Sequence, residues 1–468
     1  AQGTMEYLQE LNPDVQATYI HCDTINQLQI DIEACLLENQ KQQSVLVIGA
    51  DLEPPLSKWV SSTCDTLTIP LVLVQSYGLI GTVRVQTPSL PLVDPKPDTE
   101  VPDLRLLHPL KEIQNLAADI QWDTLDTQQH GHIPYPFILL KAMQDWKSSH
   151  STNRGPQTFA EKNEFRESIQ QASHNIDLEL NYQEAVANAY LAYTEKTLDV
   201  AHLEDLLEKS CKSGSPSLQK FRSMVKALIE FMKLHEGQPP LHGTIPDMTA
   251  STDLYVQLQK AYRDQATKDV KEMKRLIDLE LVASKTTATT ISTHDIETFC
   301  KNVFVLDVFH TRSWYEEMTE SSCPDDIQED LAMATFDPYE IEEHTPMLWY
   351  LGIQGCQLFY ETHGRYPGTL KEYEEDIGKV HDCIRQIILK YNLLDNDLLQ
   401  KTMLKDDDGR KYAKELVRYG NAEIHSIASV VGGVASQEAV KLITGQYVPL
   451  NNTYVFNGIA STGGVYKF

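Results

Sequence analysis

Apolar residues recur along this chain in two rhythms, and the change between them divides it. Up to about residue 100, helical stripes alternate with apolar runs of strand length. Met5, Leu8 and Leu11 mark a helix over 4–11 that stops at Asn12-Pro13, and Ile25, Leu28, Ile32 and Leu36 mark another over 24–38. Residues 16–21 and 44–49 read as strands, a helix is expected around 56–64, and 70–75 and 79–85 read as two further strands. That alternation predicts a parallel sheet with crossover helices. A proline-rich, acidic stretch from Pro88 to Pro102 then closes the block, placing a domain boundary near residue 102.

From 103 to 420 the helical rhythm dominates. Leu110, Ile113, Leu116 and Ile120 form one stripe; Leu139, Met143 and Trp146 a second; Leu258, Tyr262, Ala266, Val270, Met273, Ile277 and Leu281 a long third. At 421 the α/β rhythm returns. Ile427, Val431, Val434, Val440 and Ile443 fall at helical spacing, Gly445 is placed to cap the helix, and a short strand follows. The predicted organisation is an α/β domain built from 1–102 and 421–468, interrupted by a large all-α insert over 103–420.

The last helix is unusually small on one side, through Ala428, Ser429, Gly432, Gly433, Ala435 and Ser436. Two adjacent glycines cost about 1 kcal/mol each relative to alanine. Close approach of another backbone would compensate, either a sheet within this chain or another subunit. Gly432, Gly433, Gln437 and Glu438 are therefore expected at a packing or subunit interface.

Composition narrows the classes. The chain has 468 residues, of which 41% are hydrophobic and 23% charged, enough for two to four domains of a soluble globular type. No apolar run is long enough to span a membrane or to form a secretory leader. Against 67 acidic residues stand 40 basic ones, a net charge of −27 that opposes binding to nucleic acid phosphates. Cysteines 22, 35, 64, 211, 300, 323, 356 and 383 are scattered, with neither zinc-binding pairs nor disulfide spacing, which points to a reducing cytoplasmic or nuclear setting.

Gly432-Gly433-Val-Ala-Ser-Gln437-Glu438-Ala-Val-Lys441-Leu-Ile-Thr-Gly, followed by Pro449-Leu-Asn-Asn-Thr-Tyr-Val-Phe-Asn-Gly458, resembles the closing helix and strand of the ubiquitin-like-protein activating enzymes. Ser76-Tyr-Gly-Leu-Ile-Gly81 matches the same family. His130-Gly-His-Ile-Pro, His242-Gly-Thr-Ile-Pro-Asp-Met248, Gly364-Arg-Tyr-Pro-Gly368 and Glu375-Asp-Ile-Gly-Lys379 are similar to the regulatory subunits of neddylation-activating enzymes. The resemblance covers the chain from residue 4 onward. It implies a Rossmann-like adenylation domain of the ThiF and MoeB type, N-terminally incomplete, since the family opens with 70 or more further residues that include central strands. On that expectation this chain alone is poorly soluble, or only partly folded in residues 1–100.

The resemblance further implies a non-catalytic subunit of a heterodimer. Its partners would be the catalytic subunit and the ubiquitin-like modifier; ATP, magnesium and zinc would sit on the catalytic subunit, with no cofactor bound by this chain. An alternative is a truncated helical interaction protein that binds the same partners without supporting activation.

The residues themselves offer little catalysis. There is no glycine-rich phosphate loop, nor the glycine fingerprint with its acidic ribose partner that a nicotinamide enzyme needs. Asp51 and Glu53 are possible magnesium ligands, but two following prolines and the lack of a nearby Arg favour a solvated loop. The family's Cys-Thr signature is missing, and Cys323-Pro-Asp-Asp is flanked by acids that suppress a thiolate. His130 and His132 lack a second ligand pair and are assigned to a loop leading into a helix. Between Arg312 and Arg365 no Lys or Arg occurs, while Glu316, Glu317, Glu320, Asp325, Asp326, Glu329, Asp330, Asp337, Glu340, Glu342 and Glu343 accumulate. That run is either a solvated acidic loop or an electrostatic guide for a basic partner.

Overall fold

Ile80–Gln86 is buried along its whole length, as Ile-Gly-Thr-Val-Arg-Val-Gln must be if both faces of a central strand are covered. In the computed structural model, which describes all residues except 1, 23, 41–44, 97–100, 152–153, 213–215, 285–290, 321–324, 335–344, 370 and 406–409, this strand is β3 of a five-stranded sheet. The sheet contains β1 (Val47–Ala50), β2 (Leu71–Tyr77), β3, β6 (Thr453–Asn457) and β7 (Thr462–Tyr466), in that order. The pair β4 (Leu90–Leu92) and β5 (Asp307–Phe309) forms a separate two-stranded sheet.

The expected parallel sheet is mostly antiparallel. Only β1 and β2 run parallel; β2–β3, β3–β6 and β6–β7 are antiparallel. The cause is local. Tyr77 pairs with Ile80, so Gly78 and Leu79 form a two-residue turn, and Gly78 takes a positive φ of 59°. Such a connection can only join antiparallel neighbours. The strand expected over 16–21 does not form either: those residues make no ladder, and Tyr19 and Ile20 are exposed. A strand needs a partner and a covered face, and this segment has neither.

The chain divides into two units, residues 1–92 with 308–468, and residues 93–307. In the first, one face of the sheet is covered by the helix His425–Thr444, whose Val431, Ala435 and Leu442 meet Val72, Val83 and Val85. The other face packs Tyr77, Ile80 and Val455 against Met347, Leu348 and Leu351 of the helix Pro346–His363, with Tyr373–Lys390 behind it. The result is an α/β/α arrangement. Residues 308–420 thus belong with the sheet, whereas the sequence places them in the helical insert. A helical stripe covered by a sheet has the same periodicity as one covered by another helix, so the pattern could not separate them.

The second unit is helical in its described residues from Lys111 to Lys301. Its core joins Phe137, Leu139, Met143 and Trp146 of Tyr135–Ser149 to Phe165, Ile169, Tyr182, Leu258 and Tyr262. Asp126 and Thr158 each close a reciprocal capping box at a helix start. Across both units, no described helix is long and apolar enough to cross a membrane.

Candidate functional site

The helix His425–Thr444 meets the sheet through glycine, but the glycine lies on the strand. A Cβ on Gly81 of β3 would fall 2.4 Å from Val431 Cγ1 and 2.9 Å from Ile427 Cγ2. By contrast, Gly432 and Gly433 are exposed, and a Cβ on either would meet nothing within 4 Å. Packing among the described residues therefore gives no account of the two helix glycines. Gln437 is exposed beside them.

Glu438 differs. It is buried, its Oε2 accepts the Leu450 N–H at 2.9 Å, and its Oε1 lies 2.7 Å from Lys441 Nζ. Glu438 fastens the loop after the helix and leaves the outer face to its small neighbours. That face carries no charge from Ser426 to Gln437 and continues into exposed Val440, Ile443, Tyr447 and Val448. At the sheet edge, β1 has no partner on its outer side among the described residues, and Ile48, on the helix side of the sheet, is 55% exposed. A surface that is small, apolar and uncharged in so acidic a chain has the character of an interface core.

The candidate chemical groups are each engaged elsewhere. Asp51 sits at a φ of 48° after β1, and its Oδ1 accepts the Ser76 N–H at 2.8 Å. Burial and the nearby Glu423 push its carboxyl up despite that bond. Glu53 precedes the helix Pro54–Thr66 without capping it through its side chain. Burial and a hydrogen bond to the Glu53 carboxylate push the Tyr360 hydroxyl up, so Asp51 serves the turn and Glu53 engages Tyr360. Cys64, Cys300 and Cys356 are buried and pushed up to about 12, and Cys383 to about 11. Desolvation is the main cause in all four, and it opposes nucleophilic use. Cys323 lies outside the described residues.

His130 and His132 diverge. His132 is exposed and its Nδ1–H donates to the Gln128 carbonyl at 2.7 Å. His130 is buried between Glu179, 2.7 Å from Nδ1, and the Tyr182 hydroxyl, 2.9 Å from Nε2. In the acidic run, Glu316 completes the capping box of Trp314–Thr319. Glu317 is wholly buried, with Oε2 2.6 Å from Arg84 Nη1 and Oε1 accepting from Tyr350 and Tyr391. Glu317 is thus a structural, buried acid, while Glu316 caps the helix from an exposed position. Residues 321–324 and 335–344 of the run lie outside the described residues.

The motifs that carry the resemblance turn out to be staples. Arg365 of Gly364-Arg-Tyr-Pro-Gly368 grips both oxygens of Asp376 at 2.8 Å, and the Gly368 N–H donates to the same carboxylate. After Leu241, whose N–H donates to Asp269, Gly243 takes a φ of 80° and leaves room for Ala266. The Arg84–Glu317 pair was not legible, because no local pattern links an arginine inside a strand to an acid in a distant run.

No family model matches the chain. It is 32% identical over 464 residues to the NEDD8-activating enzyme E1 regulatory subunit AXR1 of Arabidopsis thaliana, covering 98% of this chain and 81% of that protein. It is 30% identical over 474 residues to the NEDD8-activating enzyme E1 regulatory subunit of Xenopus laevis, covering all of this chain and 84% of the relative. The corresponding protein of Danio rerio is 28% identical over the same span.

Proposed function

Because the chain belongs to the family of NEDD8-activating enzyme E1 regulatory subunits, we propose that it acts as the non-catalytic half of a heterodimeric activating enzyme. In this proposal the first unit is an adenylation-type domain of the ThiF and MoeB kind. ATP, magnesium and the thioester cysteine are supplied by the catalytic subunit, and the ubiquitin-like modifier is the shared cargo. The complex works in the cytoplasm and, in part, the nucleus. The observation that carries the role is similarity along the whole chain to proteins of that one name. The engaged carboxylates and high thiols agree with it.

The outer face of His425–Thr444 is our candidate for the contact with the catalytic subunit, supported by the open space over Gly432 and Gly433. Close helix approach requires small residues, and a large side chain there would hold the partner away. Co-expression with the catalytic subunit, purification through a tag on this chain and an ATP-dependent thioester assay test the role. The expected result is a stoichiometric complex that charges the modifier; a complex that does not charge it would overturn the proposal. Gly433→Trp is expected to lower complex yield by at least about tenfold, equivalent to about 1.4 kcal/mol, with no fall in this chain's own Tm. An unchanged yield would remove the helix face from the interface.

A further inference from the structure

His130 ends the short helix Thr127–His130 and is pinned from both sides. The Asn181 side-chain amide donates to the carbonyls of His130 and Ile133 at 2.9 and 3.0 Å, fixing the turn that carries the ring. Beside it, the loop before the helix Leu180–Ala187 brings His174 into parallel stacking, with ring centroids 4.0 Å apart. Glu179 of the same loop faces both rings. Its Oε1 lies 2.7 Å from His130 Nδ1 and 3.9 Å from His174 Nδ1. The ligand atoms of the three residues all fall within 4.8 Å of one another.

We propose that His130, His174 and Glu179 bind a single divalent transition-metal ion, zinc by the nature of its donors. Two imidazoles and a carboxylate are a set zinc accepts, with bonds of about 2.0–2.2 Å and a tetrahedral angle that put donor atoms roughly 3.3 Å apart. The separations of 2.7 and 3.9 Å lie on either side of that value. Closing the set needs the His174 ring to turn out of its parallel stack on His130 so that both ring nitrogens point at one centre, and its 54% exposed side chain leaves room for that turn. The same exposure lets water take the fourth position.

The surroundings supply the outer partners that metal ligands need. With the ion on Nδ1, the His130 ring carries its N–H on Nε2, where the Tyr182 hydroxyl oxygen accepts it. The second oxygen of Glu179 accepts the backbone N–H of His174 at 2.8 Å, which holds the carboxylate toward the rings. A plain buried hydrogen bond explains His130 and Glu179. It does not explain why a second, exposed imidazole is stacked over the first with its Nδ1 turned to the same carboxylate oxygen. The ion would tie the loop 173–179 to the turn that starts Tyr135–Ser149. This inference stands independently of the subunit role.

The test is calorimetric titration of the full, chelator-treated chain with Zn²⁺, repeated with His174→Ala and His132→Ala. Both side chains are exposed, so both variants retain the fold. The wild-type chain should take up one ion at this site. Outer-shell changes alone cost about 10–100-fold in metal affinity, so His174→Ala should cost at least about tenfold. His132→Ala, two residues from His130 yet turned to Gln128, should stay within about twofold, inside the scatter of a residue that touches no ligand. A visible Co²⁺ absorption band that is lost only in His174→Ala would add the coordination signature. No uptake by the wild-type chain, or equal affinity in wild type and His174→Ala, would overturn the assignment.

Discussion

A glycine is informative only through what surrounds it, and the glycines of the first unit fall into two kinds. Gly78 has a positive φ with the Tyr419 ring where a Cβ would go, 2.1 Å away, and Gly81 leaves the space that Val431 fills. Gly432 and Gly433 leave space that no described residue of the chain fills. Gly81→Val should therefore destabilise the first unit by about 1–3 kcal/mol through overpacking. Gly432→Ala should raise the stability of the isolated chain by about 1 kcal/mol. Denaturant melts of the two variants distinguish them by sign; a loss of stability in Gly432→Ala would mean that the helix glycine serves this chain after all.

Asp376 carries a second prediction at this scale. Burial alone would raise its carboxyl, but the Arg365 guanidinium and the Gly368 N–H hold it below its ordinary value of 3.8. A carboxyl that titrates lower in the folded chain than in the unfolded one stabilises fully above pH ~4, and that contribution drains as pH falls through the folded value. Asp376→Asn should cost about 2 kcal/mol at pH 7, the range for hydrogen bonds to a charged group. It should also make the acid side of the stability–pH curve shallower below pH ~4. A variant curve parallel to wild type down to pH 2 would show that the staple contributes no pH-linked stability.

Among the elements, the short helix Trp314–Thr319 shows how a local signal and a distant one divide the work. Ser313 and Glu316 form its capping box, which the sequence displays as Ser-x-x-Glu. Its buried Glu317 pairs with Arg84 in the middle of β3, whose guanidinium also donates to Thr453 Oγ1 of β6 at 2.8 Å. Removing one member of a buried pair leaves the other charge without compensation, so Glu317→Ala should cost about 3–5 kcal/mol. Arg84→Met combined with Glu317→Ala should cost less than Glu317→Ala alone, because no bare charge then remains. Additive losses in the double variant would show that the two groups act separately.

What was legible follows the same division. β2, β3, Thr252–Ala283 and the cap at Gly445 could be read because periodicity and turn chemistry are local properties. The antiparallel pairing required noticing that Gly78-Leu79 is too short for a crossover. The allegiance of Pro346–His363 to the sheet had no sequence signal, since Met347, Leu348 and Leu351 keep a helical period whatever covers them. The sequence sets His130 beside His132, and both are assigned to a loop leading into a helix; Glu179 and His174 reach His130 only through the fold.

For the whole molecule, the deepest consequence of the two-unit division concerns where the chain leaves the sheet. At that point Thr87 and Thr311 are joined in both directions: the Thr311 N–H donates to the Thr87 carbonyl at 3.0 Å, and the Thr87 N–H donates to Thr311 Oγ1 at 2.8 Å. The two ends of the first unit are thus already held together by the β4–β5 pair, and closing them takes only a hairpin-length link. Replacing residues 94–306 with a Gly/Ser linker of about four residues should give a chain with its own sheet and core, because loops of two to five residues suffice between antiparallel strands. Residues 93–307 expressed separately should fold as a helical unit around the Phe137, Leu139 and Tyr262 core. Far-UV circular dichroism and thermal melts of the two pieces should each show one cooperative transition. If the shortened chain melts without cooperativity while residues 93–307 fold, the sheet depends on more than its own two covering layers. In that event the exposed helix Gln2–Leu11, which buries none of its residues, and the open edge of β1 become the places to look for the missing support.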